Sequence, residues 1–178
     1  GKVIFSAEAR VVDPEGKDVP VGEVGEIIGR VPTATAGYFQ NEEKTREVFR
    51  DGWVHTGDLG RFDEEGFLYL AGRVKDMIIS GGQNVFAVEV EATLLSHPGV
   101  ADCAVIGLPH DTWGERVTGV VVKAPEASVT EEELISYCKE RIAGFKVPKR
   151  ILWADAPLPR TPTGKVTKFV LVEQFSSK

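Results

Sequence analysis

Cysteine is scarce in this 178-residue chain, with only Cys103 and Cys138 far apart among apolar neighbours. That excludes a disulfide-stapled scaffold and reads as two small buried thiols in a reducing compartment. Long apolar runs are missing as well, so no segment is predicted to span a bilayer. The opening stretch GKVIFSAEARVVD is too interrupted by charge for a signal peptide, which makes a cytoplasmic location the expectation. Histidine is sparse: His55, His97 and His110 stand widely apart without metal-ligand spacing, so no structural metal is expected. There is no general excess of positive charge. A net charge of -6 gives no overall attraction to nucleic acid or anionic lipid. An initiating methionine is absent and residue one leads straight into a strand-like pattern, from which a fragment of a longer chain is expected. What remains, 42% hydrophobic residues in a chain of this length, suffices to bury one core or two small ones.

Against this acidic background one segment is basic. Residues 141–168 hold seven basic side chains, Arg141, Lys146, Lys149, Arg150, Arg160, Lys165 and Lys168, against the single acid Asp155, a net of +6, while the rest sums to -12. Such a cluster reads either as solvated surface or as a place for an anionic ligand.

The pattern along the chain is β-rich first. Lys2–Val12 reads as strand, Asp13-Pro14-Glu15-Gly16 as a turn, and Glu26–Val31 as a second strand. Asn41 is placed to cap a helix over Glu42–Phe49, and a hairpin is expected with Arg61-Phe62 and Phe67–Leu70 around Asp63-Glu64-Glu65-Gly66. Beyond Gly72 strands and helices alternate. Met77–Ile79 leads into the turn Ser80-Gly81-Gly82, and Val88, Ala92 and Leu95 share a helical face ended by Pro98-Gly99. Val100–Ile106 and Arg116–Lys123 read as strands. Thr130 with Glu133 forms a capping box for a helix whose stripe is Leu134, Cys138 and Ile142. Ile151–Trp153 reads as a strand, Pro157–Gly164 as a proline-stiffened loop delivering Lys165, and Lys168 as the start of a last helix.

Three stretches carry chemistry: Thr56-Gly57-Asp58-Leu59-Gly60, Gly72-Arg73-Val74-Lys75-Asp76-Met77-Ile78-Ile79-Ser80-Gly81-Gly82, and Pro159-Arg160-Thr161-Pro162-Thr163-Gly164-Lys165. Each is weak evidence alone. In this order and spacing, over essentially the whole chain, they resemble the adenylate-forming superfamily, which includes acyl-CoA synthetases, nonribosomal adenylation domains and beetle luciferases. The resemblance implies an α+β chain: residues 1–72 as the β-rich carboxy-terminal end of a large AMP-binding domain, and 73–178 as a mobile lid with a short central sheet flanked by helices and a hinge near Lys75.

It also implies roles. Asp58, otherwise a turn aspartate, matches the carboxylate that holds the ribose hydroxyls of ATP and AMP, and Arg73 matches a residue approaching the same nucleotide. Lys165 matches the catalytic lysine of adenylation, where a cation offsets the repulsion between carboxylate and α-phosphate. Gly81 and Gly82 match the turn past which a pantetheine arm runs, though a plain tight turn fits them equally. Trp113, Phe145 and Lys149 match the segments that hold the nucleotide end of CoA, by stacking and by pairing with the 3′-phosphate. Singly, the two aromatics read as core. Gln83 and Ala87 depart from the glutamate and proline common in relatives.

The implied substrates are ATP with Mg²⁺, CoA and a fatty or aryl carboxylic acid, and the implied partner is an amino-terminal domain of the same chain, with oligomerisation left open. The phosphate loop, acid pocket and adenine-receiving stretch lie upstream in the family, so these residues alone are not expected to complete adenylation. Two other functions are weighed: a nonribosomal-type domain loading a carrier protein, and a non-catalytic nucleotide- or CoA-binding module.

Overall fold

Two separate five-stranded sheets organise the chain, each inside its own unit. The computed structural model describes residues 1–176, and the chain divides into two compact units, Gly1–Lys75 and Asp76–Lys178. No helix among the described residues is long and apolar enough to cross a membrane.

The first unit is an antiparallel sheet in the order β1-β2-β4-β3, with β5 on β4. Its strands are β1 (Glu8–Val12), β2 (Gly25–Arg30), β3 (Phe49–Arg50), β4 (Trp53–Phe62) and β5 (Leu68–Arg73). Strand β1 is shorter than the expected Lys2–Val12. Ile4 and Phe5 are exposed and outside the ladder, so apolar character there marks surface. The expected hairpin is present: Phe62 pairs with Leu68 and Arg61 with Tyr69, around a turn in which Asp63 accepts from the N–H groups of Glu65 and Phe67. Helix α1 (Glu42–Val48) starts at Asn41, whose side chain accepts from Lys44 N at 2.9 Å.

The second unit holds β6 (Met77–Ser80), β7 (Gln83–Phe86), α2 (Ala87–Leu95), β8 (Val100–His110), β9 (Gly114–Lys123), α3 (Glu131–Lys139), β10 (Arg150–Trp153) and α4 (Lys168–Ser176). The mixed α/β character matches the expectation, and β10 is the parallel partner of β9. Antiparallel β8 and β9 run together from Val100↔Lys123 to His110↔Gly114. Because side chains alternate across a strand, this ribbon feeds two cores. Cys103, Val105, Val117 and Val121 join Val90, Leu94, Leu134 and Cys138 from α2 and α3. Ala104, Ile106, Leu108 and Val120 join Leu171 of α4 and Leu158.

The expected inner face of α2 is wrong. Val88 and Leu95 are 50% and 48% exposed, whereas Ala87, Val90 and Leu94 are buried. Both triads have helical spacing, and β8 selects one by packing against it. In α3, Thr130 accepts from Glu133 N at 3.2 Å, while the Glu133 carboxylate lies 3.5 Å from His97 Nε2. Leu134 and Cys138 face inward as expected, and Ile142 packs on the same core from beyond the helix end.

Both cysteines are buried free thiols. Burial, aided by the Glu91 and Asp102 charges, pushes Cys103 from an ordinary 9.0 up to about 12, and burial pushes Cys138 to about 11. Folding therefore holds both as thiols. That contribution is complete below about pH 9 and is lost as the pH rises through about 11 and 12. A thiol reagent at pH 8 should find neither cysteine in the native chain within minutes and both after unfolding; rapid native labelling would contradict the packing. In urea unfolding, Leu94→Ala should destabilise by about 2–5 kcal/mol, and Leu95→Ala by about 0.5 kcal/mol or less.

Candidate functional site

Asp58 owes its position to a break in the β2–β4 ladder. Glu26 pairs with Leu59 and Ile28 with His55, so Thr56-Gly57-Asp58 is looped out of register. Gly57 takes φ +69°, a left-handed conformation that suits glycine, and there is open space where a side chain would stand. The loop is held by hydrogen bonds. Thr56 Oγ1 donates to Ile27 O at 2.6 Å and accepts from Asp58 N at 3.0 Å. The Glu26 carboxylate accepts from Gly57 N at 3.1 Å through one oxygen and meets His55 Nδ1 at 2.8 Å through the other. Glu26 and His55 are thus part of the site's support, which sequence reasoning missed. No sequence signal names them, because the pairing of β2 with β4 that brings Glu26 to the Thr-Gly-Asp turn is a property of the fold.

On β5, Arg73 stands directly across from Asp58 and donates from Nε to Oδ1 at 2.9 Å. Both side chains stay about half exposed, so a carboxylate and a guanidinium are presented together to solvent. Lys75 follows in a 3-10 turn, Val74–Asp76, as the last residue of the first unit.

In the second unit, Gly81 and Gly82 form the turn between β6 and β7, with φ of +58° and +75°. Gly81 N donates to Trp113 O at 2.9 Å, and a Cβ added to Gly81 would lie 3.5 Å from the Trp113 ring. The Lys149 ammonium lies 5.6 Å from the centre of that ring and donates to Gly144 O at 3.1 Å. Gly81, Trp113 and Lys149 therefore form one partly exposed patch of glycine backbone, indole face and cation. Phe145, 39% exposed, begins the segment leading to Lys149 and has the Lys146 ammonium over its ring instead.

Lys165 ends a turn closed on itself. Thr161 N donates to Lys165 O at 2.8 Å, Gly164 N to Thr161 O at 2.8 Å, and Lys165 N to Thr161 Oγ1 at 3.2 Å. An isolated bridge between Arg160 and Val166 closes its base, and the Lys165 side chain is exposed.

Ion pairing sorts the basic segment. Arg141 pairs with Glu140, Lys146 with Glu89, Arg160 with Asp102 and Lys168 with Glu91. Among the described residues Lys149, Arg150 and Lys165 have no carboxylate partner, and two of these three are the cations singled out from the sequence.

Residues 89–165 match the model of the AMP-binding enzyme C-terminal domain. The 2-succinylbenzoate–CoA ligase of Bacillus cereus (strain Q1) is 45% identical over 168 residues, 94% of this chain and 34% of that protein. The chain superposes on ATP-bound MatB from Rhodopseudomonas palustris with TM-score 0.91 at 42% identity, over 99% of this chain and 35% of that one. This chain belongs to the AMP-binding enzyme family. A further solved member, the o-succinylbenzoate CoA synthetase (MenE) of Bacillus subtilis in complex with the acyl-adenylate intermediate OSB-AMP, gives TM-score 0.89 at 40% identity, over 96% of this chain and 34% of that chain. The chain thus spans about a third of the length of the curated relatives it matches, and corresponds to the carboxy-terminal portion of an AMP-binding enzyme.

The Thr-Gly-Asp turn depends on its glycine. Gly57→Ala meets no neighbouring atom, so its penalty is the strain of a left-handed alanine, about 1–2 kcal/mol. Urea unfolding should register that loss, and an unchanged stability would mean that the turn relaxes out of the described conformation.

Proposed function

We propose that the whole protein is an AMP-forming acyl-CoA synthetase, in which this portion supplies ribose-binding, catalytic and CoA-binding groups. The observation that carries the reading is the patch of Gly81, Trp113 and Lys149 on the same unit as the exposed Lys165, which has no carboxylate partner among the described residues. One unit then holds what suits a nucleotide-bearing thiol and what suits the joining of two anions.

In the first half-reaction a carboxylate oxygen attacks the α-phosphorus of ATP, and the bond to pyrophosphate breaks. Asp58 accepts hydrogen bonds from the ribose hydroxyls and Arg73 steadies it and reaches nucleotide oxygens. Lys165 sets its ammonium between carboxylate and phosphate, where negative charge gathers in the transition state. Mg²⁺ arrives with ATP as part of the substrate and neutralises phosphate oxygens. In the second half-reaction the CoA sulfur attacks the acyl carbon and AMP leaves. Trp113 offers a face for the adenine of CoA, Phe145 a second aromatic surface, and Lys149 a cation for the 3′-phosphate. The bare backbone at Gly81 and Gly82 allows the pantetheine arm to pass closely. Lys75, at the junction of the units, absorbs the rotation that exchanges one set of groups for the other. Relatives named as CoA ligases support thioester formation with CoA over loading of a carrier protein.

With the full-length enzyme, Lys165→Ala should slow adenylate formation by about a hundredfold to a thousandfold and leave thioester formation from supplied acyl-adenylate within about twofold. Equal loss of both steps would overturn the role of Lys165. Lys149→Ala should raise the KM for CoA about tenfold to a hundredfold, the weight of a charge-assisted bond to phosphate, while hardly changing the KM for dephospho-CoA. Transfer only to a carrier-protein arm would select the nonribosomal-type function, and binding without turnover the non-catalytic one.

A further inference from the structure

The turn that carries Lys165 leaves the sheet, yet it is staked on both sides to the first half of β8. Five residues before the lysine, Arg160 uses two nitrogens of one guanidinium: Nη1 donates to Gly164 O at 2.7 Å, and Nη2 to Asp102 Oδ2 at 2.6 Å. Three residues after it, the Lys168 ammonium meets Glu91 Oε1 at 2.7 Å, and that same oxygen accepts from Val105 N at 2.8 Å. The two stakes differ in kind. Lys168 and Glu91 are 17% and 18% exposed, and they bind α4 to α2 and β8. Arg160 and Asp102 are 43% and 30% exposed, where an ion pair adds little to folding stability. What the outer pair does hold is the carbonyl of Gly164, one peptide unit before Lys165.

We infer that Arg160 and Asp102 act as positioning residues for Lys165, fixing the turn so that its ammonium is aimed for adenylation; the inference rests on the catalytic role given to Lys165 above. The planar guanidinium grips a backbone carbonyl of the turn and a carboxylate of β8 at once. A lysine offers one nitrogen in place of two and lacks the planar fork that fixes both acceptors at once. Misaiming a catalytic group by about 1 Å suffices to lose a large factor in rate.

The test uses the full-length enzyme and measures adenylation, by pyrophosphate release, separately from thioester formation with supplied acyl-adenylate. Arg160→Ala, Arg160→Lys and Asp102→Ala should each lower kcat for adenylation about tenfold, with the KM for ATP and the thioester step within about twofold of wild type. The double variant Arg160→Ala/Asp102→Ala should be no slower than either single one, because both remove one clamp. A thermal midpoint within a few degrees of wild type identifies the loss as one of aim and not of folding. Full activity in Arg160→Lys, multiplying losses in the double variant, or equal loss of both half-reactions overturns the inference. Lys165→Ala run alongside separates the two levels: if it slows adenylation and the Arg160 variants do not, only the clamp fails, and if it does not, the role of Lys165 falls and the clamp with it.

Discussion

The pairing of β8 with β9 is the constraint on which the second unit depends. One ribbon, from Val100↔Lys123 to His110↔Gly114, supplies alternate side chains to two cores and so fixes α2 and α3 on one face and α4 on the other. Its edges carry the chemistry. Near its start, Asp102 accepts from Arg160 on one side of Lys165, and Val105 N donates to Glu91, the carboxylate that pairs with Lys168 on the other. At its other end the reversal from His110 to Gly114 presents Trp113, whose carbonyl accepts from the Gly81 turn. A shift of register by one residue would exchange the two cores and move both edges together.

The first unit places Asp58 by a different device. There an interruption in pairing frees three residues between His55 and Leu59, and a half-buried carboxylate, Glu26, replaces the missing ladder bonds. A regular strand would send Asp58 into one fixed alternation. The bulge instead sets it opposite Arg73, so that two groups of opposite charge share an exposed edge.

Local chemistry made much of this legible in the sequence. Asn41 and Thr130 cap helices because their side chains satisfy N–H groups three residues on, and the polar turn at Asp63–Gly66 joins the two arms of a hairpin. The motif residues Asp58, Arg73, Gly81, Trp113, Lys149 and Lys165 were visible by type and order. The face of α2 was not, because Val88 and Leu95 are as apolar as Val90 and Leu94 and only contact with β8 decides between them. Partnerships across long separations were also hidden. Glu26 with His55, Asp102 with Arg160 and Glu91 with Lys168 join residues 29, 58 and 77 positions apart, and nothing in the neighbourhood of either member names the other.

The basic segment shows why charge counted along a sequence is an incomplete guide to a ligand. Seven cations against one acid fitted either solvated surface or an anion site somewhere in residues 141–168, without saying which of them would meet a ligand. Folding brings Glu89, Glu91 and Asp102 from outside the segment onto Lys146, Lys168 and Arg160, and each pairing removes a cation from the field that a ligand would meet. Among the described residues Lys149, which meets the Gly144 carbonyl and the Trp113 ring, and the exposed Lys165 are left without a carboxylate partner, a condition that favours an incoming phosphate because no resident carboxylate must first be displaced. The same three acids that neutralise the segment also fasten it to α2 and β8. The acidic excess elsewhere in the chain therefore fixes the basic loop in place and selects which of its charges remain available, and the two effects come from the same bonds.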